Sequence, residues 1–341
     1  MRRLVFLVFG GLLPTFSFLL FLFGGSFCSK VDAVESPKVA WMISSFSNPA
    51  GVAVDSSGVI YVADFKNNCI QKLTPSGDLL DTWGSEGSED GQFSHPAGIT
   101  VDNNDNIYVV DSGNYRIQKF SSDGGFIAKW GSYGAEEKQF SCPSGIAIDG
   151  SGNVYVTDVD GYVQKFTSSG DFISRWGCQG SKNGQFLCPS GIAVDKSGDV
   201  YVVDSGNNRV QKFNSDGDYI TQWGRKGTRA GQFSFPSGIA IDNSGNIYVA
   251  DVFNYCIQKF SPDKNFITKW GCAGTGAGQF TLPDEIAIDS SGNIYVTDGN
   301  NHSLQKFVPA ESTNGGSGSG DNETDSSGGG GGCFIMIVDG L

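Results

Sequence analysis

The sequence predicts an all-β protein: a six-bladed β-propeller of four-stranded antiparallel blades, closed by an N-terminal strand that completes the last blade. Three observations predict it. A frame of the form P-x-G-I-A-V-D-x-S-G-N-I-Y-V-x-D, then I-Q-K-F, then F-I-x-x-W-G, recurs six times, with its prolines at Pro49, Pro96, Pro143, Pro189, Pro236 and Pro283. A strict period of about 47 residues marks a repeat architecture. Each complete unit contains four short runs rich in Val, Ile, Tyr and Phe, bounded by Gly, Asp, Asn or Ser, and no helical spacing appears. All six tryptophans share one frame position (Trp41, Trp83, Trp130, Trp176, Trp223 and Trp270), yet Trp41 lies ahead of the first unit.

In the fourth unit the four runs are Gly191–Asp195, Val200–Val203, Arg209–Phe213 and Tyr219–Trp223. The link Lys196-Ser197-Gly198-Asp199 is hairpin chemistry, because Gly takes a positive φ without steric cost and Asp tolerates it. Four antiparallel strands per unit make a propeller blade. The sixth unit stops after Leu304–Phe307 and lacks its fourth run. Lys38-Val39-Ala40-Trp41-Met42-Ile43 carries the missing tryptophan, and Phe46 stands three residues before Pro49 as Phe93 does before Pro96. Residues 38–43 are therefore expected to supply the outer strand of the sixth blade. Closure of this kind removes the open sheet edges that invite aggregation.

Three regions follow. Residues 1–33 read as a signal peptide or membrane anchor: Arg2 and Arg3, a predominantly apolar run over Leu4–Phe23, and a small-residue cleavage site at Val31-Asp32-Ala33. Uncut, that run is long enough to span a bilayer. Residues 38–309 form the propeller. Residues 310–341 are a Gly/Ser-rich acidic linker ending in Cys333-Phe334-Ile335-Met336-Ile337-Val338, too short to span a membrane. The expected location is outside the cell or on its surface, with membrane contact only through the N-terminal segment or the tail, and the expected state is a monomer.

Net charge is −13. Setting aside +2 for residues 1–33 and −5 for the tail leaves about −10 on the repeats. An acidic body repels phosphate backbones, so nucleic acid is excluded as a partner. Six cysteines lie in the repeats at three frame positions: Cys69 and Cys256, Cys142 and Cys188, Cys178 and Cys272. Two readings stand side by side. Disulfides between Cys178 and Cys188, or Cys256 and Cys272, would close short loops in an exported chain; alternatively the cysteines are small apolar fillers. No C-x-x-C pair exists, which argues against structural zinc.

The run P-S-G-I-A-V-D…V-Y-V-V-D-S-G-N-N-R-V-Q-K-F (Pro189–Phe213) resembles the NHL repeat. The resemblance implies a six-bladed propeller but leaves the activity open, since similar propellers include RNA-binding platforms, amidating lyases with a histidine-held metal, and bacterial surface proteins. Fold alone licenses none of these. The Arg that opens the third strand in the family pattern survives only as Arg116 and Arg209, and the third unit lacks one residue between Asp158 and Val163. The RNA-binding members imply a basic face, which this acidic body lacks. The lyases imply several axial histidines, and this chain has two in all, His95 and His302.

Two rings of aspartate recur, from Asp55 to Asp289 and from Asp64 to Asp298. Calcium is the one ion such rings suggest, and no other cofactor is expected; because every blade carries both, they read as turn and loop caps. Variation between units points instead to the loops between second and third strands. Their Phe65, Asn67, Asn68, Tyr115, Tyr162, Asn208, Phe253, Tyr255 and His302 offer rings beside amides, a combination suited to protein, peptide or glycan contacts. The sixth unit also breaks the inner strand: Pro283-Asp284-Glu285 replaces P-S-G. Glu285, Asp284 and His302 are the candidates for a catalytic or metal-binding site near the channel. The leading expectation is a non-catalytic binding scaffold, and the alternative is a metal-dependent lyase- or lactonase-like enzyme.

Overall fold

The computed structural model describes residues 36–310. The segment 1–33 and the tail from 311, with their expected signal, anchor and linker roles, lie outside the described residues. No helix among the described residues is long and apolar enough to cross a membrane.

Six four-stranded antiparallel sheets form the blades of a closed ring. Blade 1 runs through Pro49–Val54, Ile60–Asp64, Cys69–Leu73 and Leu79–Trp83, innermost strand first. Blades 2 to 5 repeat this order from Pro96, Pro143, Pro189 and Pro236. Blade 6 has Pro283–Ile288, Ile294–Asp298 and Ser303–Val308, and its outer strand is Lys38–Ile43. That strand pairs antiparallel with the third, Lys38 opposite Val308 and Ile43 opposite Leu304, so the two ends of the repeat region close the ring within one sheet.

Second strands are fully buried because both faces meet neighbouring blades: Ile60, Tyr61, Val62 and Ala63 are all at 0% exposure. The phenylalanine of G-Q-F (Phe93, Phe140, Phe186, Phe233 and Phe280) is at 0% too. It lies in the seam between blades; Phe233, for instance, packs with Tyr201 and Val203 of blade 4 and Ile239, Val249 and Phe260 of blade 5. The core is thus six interblade layers, not one central mass.

Inner strands approach so closely that glycine is required. A Cβ on Gly51 would stand 2.3 Å from the Ala97 carbonyl oxygen, and one on Gly145 2.3 Å from that of Ser190. Blade 6 alone carries Glu285 at this position.

The cysteines do not form the disulfides the sequence allowed. Cys178, Cys188 and Cys256 are thiols, so neither Cys178–Cys188 nor Cys256–Cys272 is bridged. The frame places Cys178 on the outer link of blade 3 and Cys188 at the start of the next inner strand, and proximity in sequence did not become pairing.

Candidate functional site: loop face and channel mouth

One face of the ring carries the near-invariant turns between first and second strands; the other carries the variable loops and the upper mouth of the central channel. On the turn face each aspartate caps its own hairpin. Asp149 accepts the Ser151 and Asn153 N–H groups, both at 2.9 Å, the Asn153 amide at 2.7 Å and the Tyr155 hydroxyl at 3.0 Å. Burial would raise this carboxyl, but those hydrogen bonds outweigh it and hold it below its ordinary range. A cavity of about 380 Å³ opens between these turns, lined by Asp55, Asp102, Asp105, Asp242 and Asp289 among others. Asp105 departs from the repeat: it stands at φ 60°, where other blades have Gly, and accepts the Ser56 N–H of the preceding blade at 3.2 Å. The signal was visible, since Asn103-Asn104-Asp105-Asn106 breaks the S-G-N pattern. No group of three His, Cys, Asp or Glu among the described residues is set to hold a metal ion.

The second aspartate ring is a set of buried hubs. Asp204 accepts the Leu187 N–H at 2.7 Å, the Asn207 amide at 2.9 Å, Arg209 Nε at 2.6 Å and Gln211 Nε2 at 3.0 Å. Each hub ties the entry to its inner strand to the loop after its second strand. Burial raises Asp204, and Arg209 works against the rise. Asp251, which has Cys256 in place of an arginine, is pushed up to about 6 by burial.

Most predicted loop-face residues turn out to hold the loops themselves. Phe65 is buried, its ring 4.7 Å from that of His95. Asn67 donates to Asp64 at 2.9 Å. Asn68 and Asn208, both left-handed at φ 52° and 56°, accept the N–H groups of His95 and Phe235 at 2.8 Å. Tyr115 and Tyr255 take the same left-handed position and are half-buried, Tyr115 packing on Tyr133 at 4.9 Å. Tyr162 belongs to the third strand, with the Arg175 guanidinium 4.7 Å over its ring. Phe253 is the predicted ring that stays open, 52% exposed and 5.7 Å from Phe235. Tyr133 (70%) and Leu187 (38%) are exposed residues that sequence reasoning missed. They lie on the links between blades, outside the segment the frame aligns.

The residue before each frame proline rims the channel mouth: Asn48, His95, Cys142, Cys188, Phe235 and Leu282. Just inside, Asp284 accepts the Ser237 hydroxyl at 2.7 Å. Glu285 Oε1 accepts its neighbour's Ile286 N–H at 3.1 Å, and the Ile239 N–H also favours its charged form. Both residues are half-buried on the inner strand of blade 6. Burial pushes Asp284 up to about 6 and Glu285 up to about 8, with Asp284 adding its repulsion to Glu285. His302 is exposed at φ 54° and hydrogen-bonds neither carboxyl. The three residues proposed for catalysis are therefore a pair and an outlier.

With this geometry in view, five segments match the NHL repeat family: residues 46–73, 93–120, 186–213, 233–260 and 280–307. The chain is an NHL-repeat β-propeller. The blade outside the matched segments is the third, whose loop is one residue short. No curated protein sequence matches the chain. Solved structures with the same fold include a protein of unknown function from Bacteroides thetaiotaomicron (16% identity, 81% of this chain and 72% of that one, TM-score 0.64). A gluconolactonase from Xanthomonas campestris shares 13% identity over 80% of this chain and 95% of its own, with TM-score 0.61. A virginiamycin B lyase from Staphylococcus aureus shares 14% over 79% and 98%, with TM-score 0.55. At such identities the likeness is one of fold.

Proposed function

We propose that this NHL propeller is a non-catalytic binding scaffold, exported or displayed at the cell surface, that holds a protein, peptide or glycan on its loop face. The observation that carries this reading is the pairing of a rigid face with exposed rings. The left-handed asparagines and buried aspartate hubs fix the loops, while Phe253, Tyr133 and Leu187 stand open on them. Pre-ordered loops lose little entropy on binding, and exposed aromatic rings supply contact area. Screening the purified protein on glycan and peptide arrays tests it. A hit that weakens about tenfold or more in Phe253→Ala, with unchanged melting, is the expected result; no hit, or hits indifferent to Phe253 and Tyr133, would sink the reading.

A second reading is favoured by one specific observation, the desolvated Asp284–Glu285 pair at the channel mouth in a fold shared with a lyase and a lactonase. In that reading a metal in the channel would take these carboxylates as ligands. Metal analysis separates the two: tightly held stoichiometric calcium or zinc, lost in Glu285→Gln, supports the enzyme, and a metal-free heat-stable protein supports the scaffold.

A further inference from the structure

The inner strands of blades 3 and 4 lie side by side in separate sheets, bridged by one side chain of blade 3. The Thr157 hydroxyl accepts the Gly145 N–H at 2.8 Å and donates to the Ser190 carbonyl at 2.6 Å. A Cβ on Gly145 would stand 3.2 Å from Gly191 Cα. Cys142 and Cys188 stand three residues before Gly145 and Gly191, so they occupy the same position on adjacent strands of this joint. Both are half-buried free thiols. Cys142 lies within electrostatic reach of Cys188, and both feel the exposed Asp160 carboxylate. No other pair of adjacent blades carries cysteine at this position.

We propose that Cys142 and Cys188 are a modification site: a thiol pair that closes into a disulfide joining blades 3 and 4 at the channel mouth. The approach seen at Gly145 and Gly191, carried three residues back along both strands, puts the two cysteines in the range of Cα separations a disulfide spans. The oxidant is a small disulfide, R–S–S–R. One cysteine thiolate attacks it, forming a mixed disulfide and releasing R–SH; the second thiolate then displaces the other R–SH. The protein loses two hydrogens and R–S–S–R is reduced to two R–SH. Burial, with the nearby aspartates, raises both thiols, so the reduced pair survives mild conditions and closes only under a sustained oxidant. The bond is independent of whether the loop face binds a ligand.

The test is incubation of the full chain with oxidised glutathione, followed by digestion without reductant and mass mapping. The expected result is a linked Cys142–Cys188 peptide, absent from Cys142→Ser and Cys188→Ser. A rise in Tm on the order of 5 °C, undone by dithiothreitol, should accompany it, since the bond closes a loop of one whole repeat. Glutathione lodged at both positions without closure, or Cys188 linked to Cys178 instead, overturns the proposal. The map of the unsubstituted protein decides even if a serine variant fails to fold.

Discussion

Glu285 stands where five blades have glycine, and its carboxyl is held at about 8 against an ordinary 4.5; Asp284 beside it is held at about 6 against 3.8. A carboxyl raised in the folded state binds more protons there than in the unfolded chain. Stability is therefore unaffected at pH below about 4, falls as pH climbs through the interval between the two values, and levels off above about 8. After discounting for channel water the loss should be on the order of 1–3 kcal/mol. Urea melts between pH 4 and 9 should show it, and Glu285→Gln should remove most of it; equal slopes in both proteins would refute the assignment. Arg209 gives the opposite case. Its guanidinium meets a fully buried carboxylate at 2.6 Å, so Arg209→Ala strands Asp204 and should cost about 3–5 kcal/mol, measured as a fall in the urea midpoint.

At the scale of the element, the clasp strand Lys38–Ile43 decides closure. Trp41 packs on Tyr295 at 6.0 Å and lies beside Gly77 at the tip of the blade 1 hairpin, so it spans two blades. Trp41→Ala should cost about 3 kcal/mol, near the lower end for a large aromatic because the ring is only half-buried. A chain beginning at Pro49 should expose the Ser303–Val308 edge and associate, which light scattering would detect; a monomer of unchanged Tm would contradict the closure. Strands and closure were legible in the sequence because period-2 alternation and the tryptophan count are local and repeated. Loop-face chemistry was less so. Asn208 looks like a free amide in sequence, but its partner, the Phe235 N–H, lies 27 residues away in the next blade. Phe65 likewise reads as a loop ring until His95 of blade 2 covers it. Contacts of this kind follow from the ring's curvature, which no single repeat encodes. The Asp284–Glu285 departure was visible; that burial would lift both carboxyls was not.

For the whole molecule, six seams share the packing, so stability is distributed and each neighbour pair is nearly self-contained. Thr297 marks the seam where the ring meets itself, its hydroxyl donating to the Ala50 carbonyl of blade 1 at 2.7 Å. The pairing of Lys38 with Val308 has a mechanical consequence. Both ends of the propeller leave from the same corner of blade 6, side by side. Tension applied through the two ends would load the clasp in the unzipping direction, parting its ladder one rung at a time rather than shearing all rungs together. The ring would thus open under a modest pull, and it would open first at blade 6.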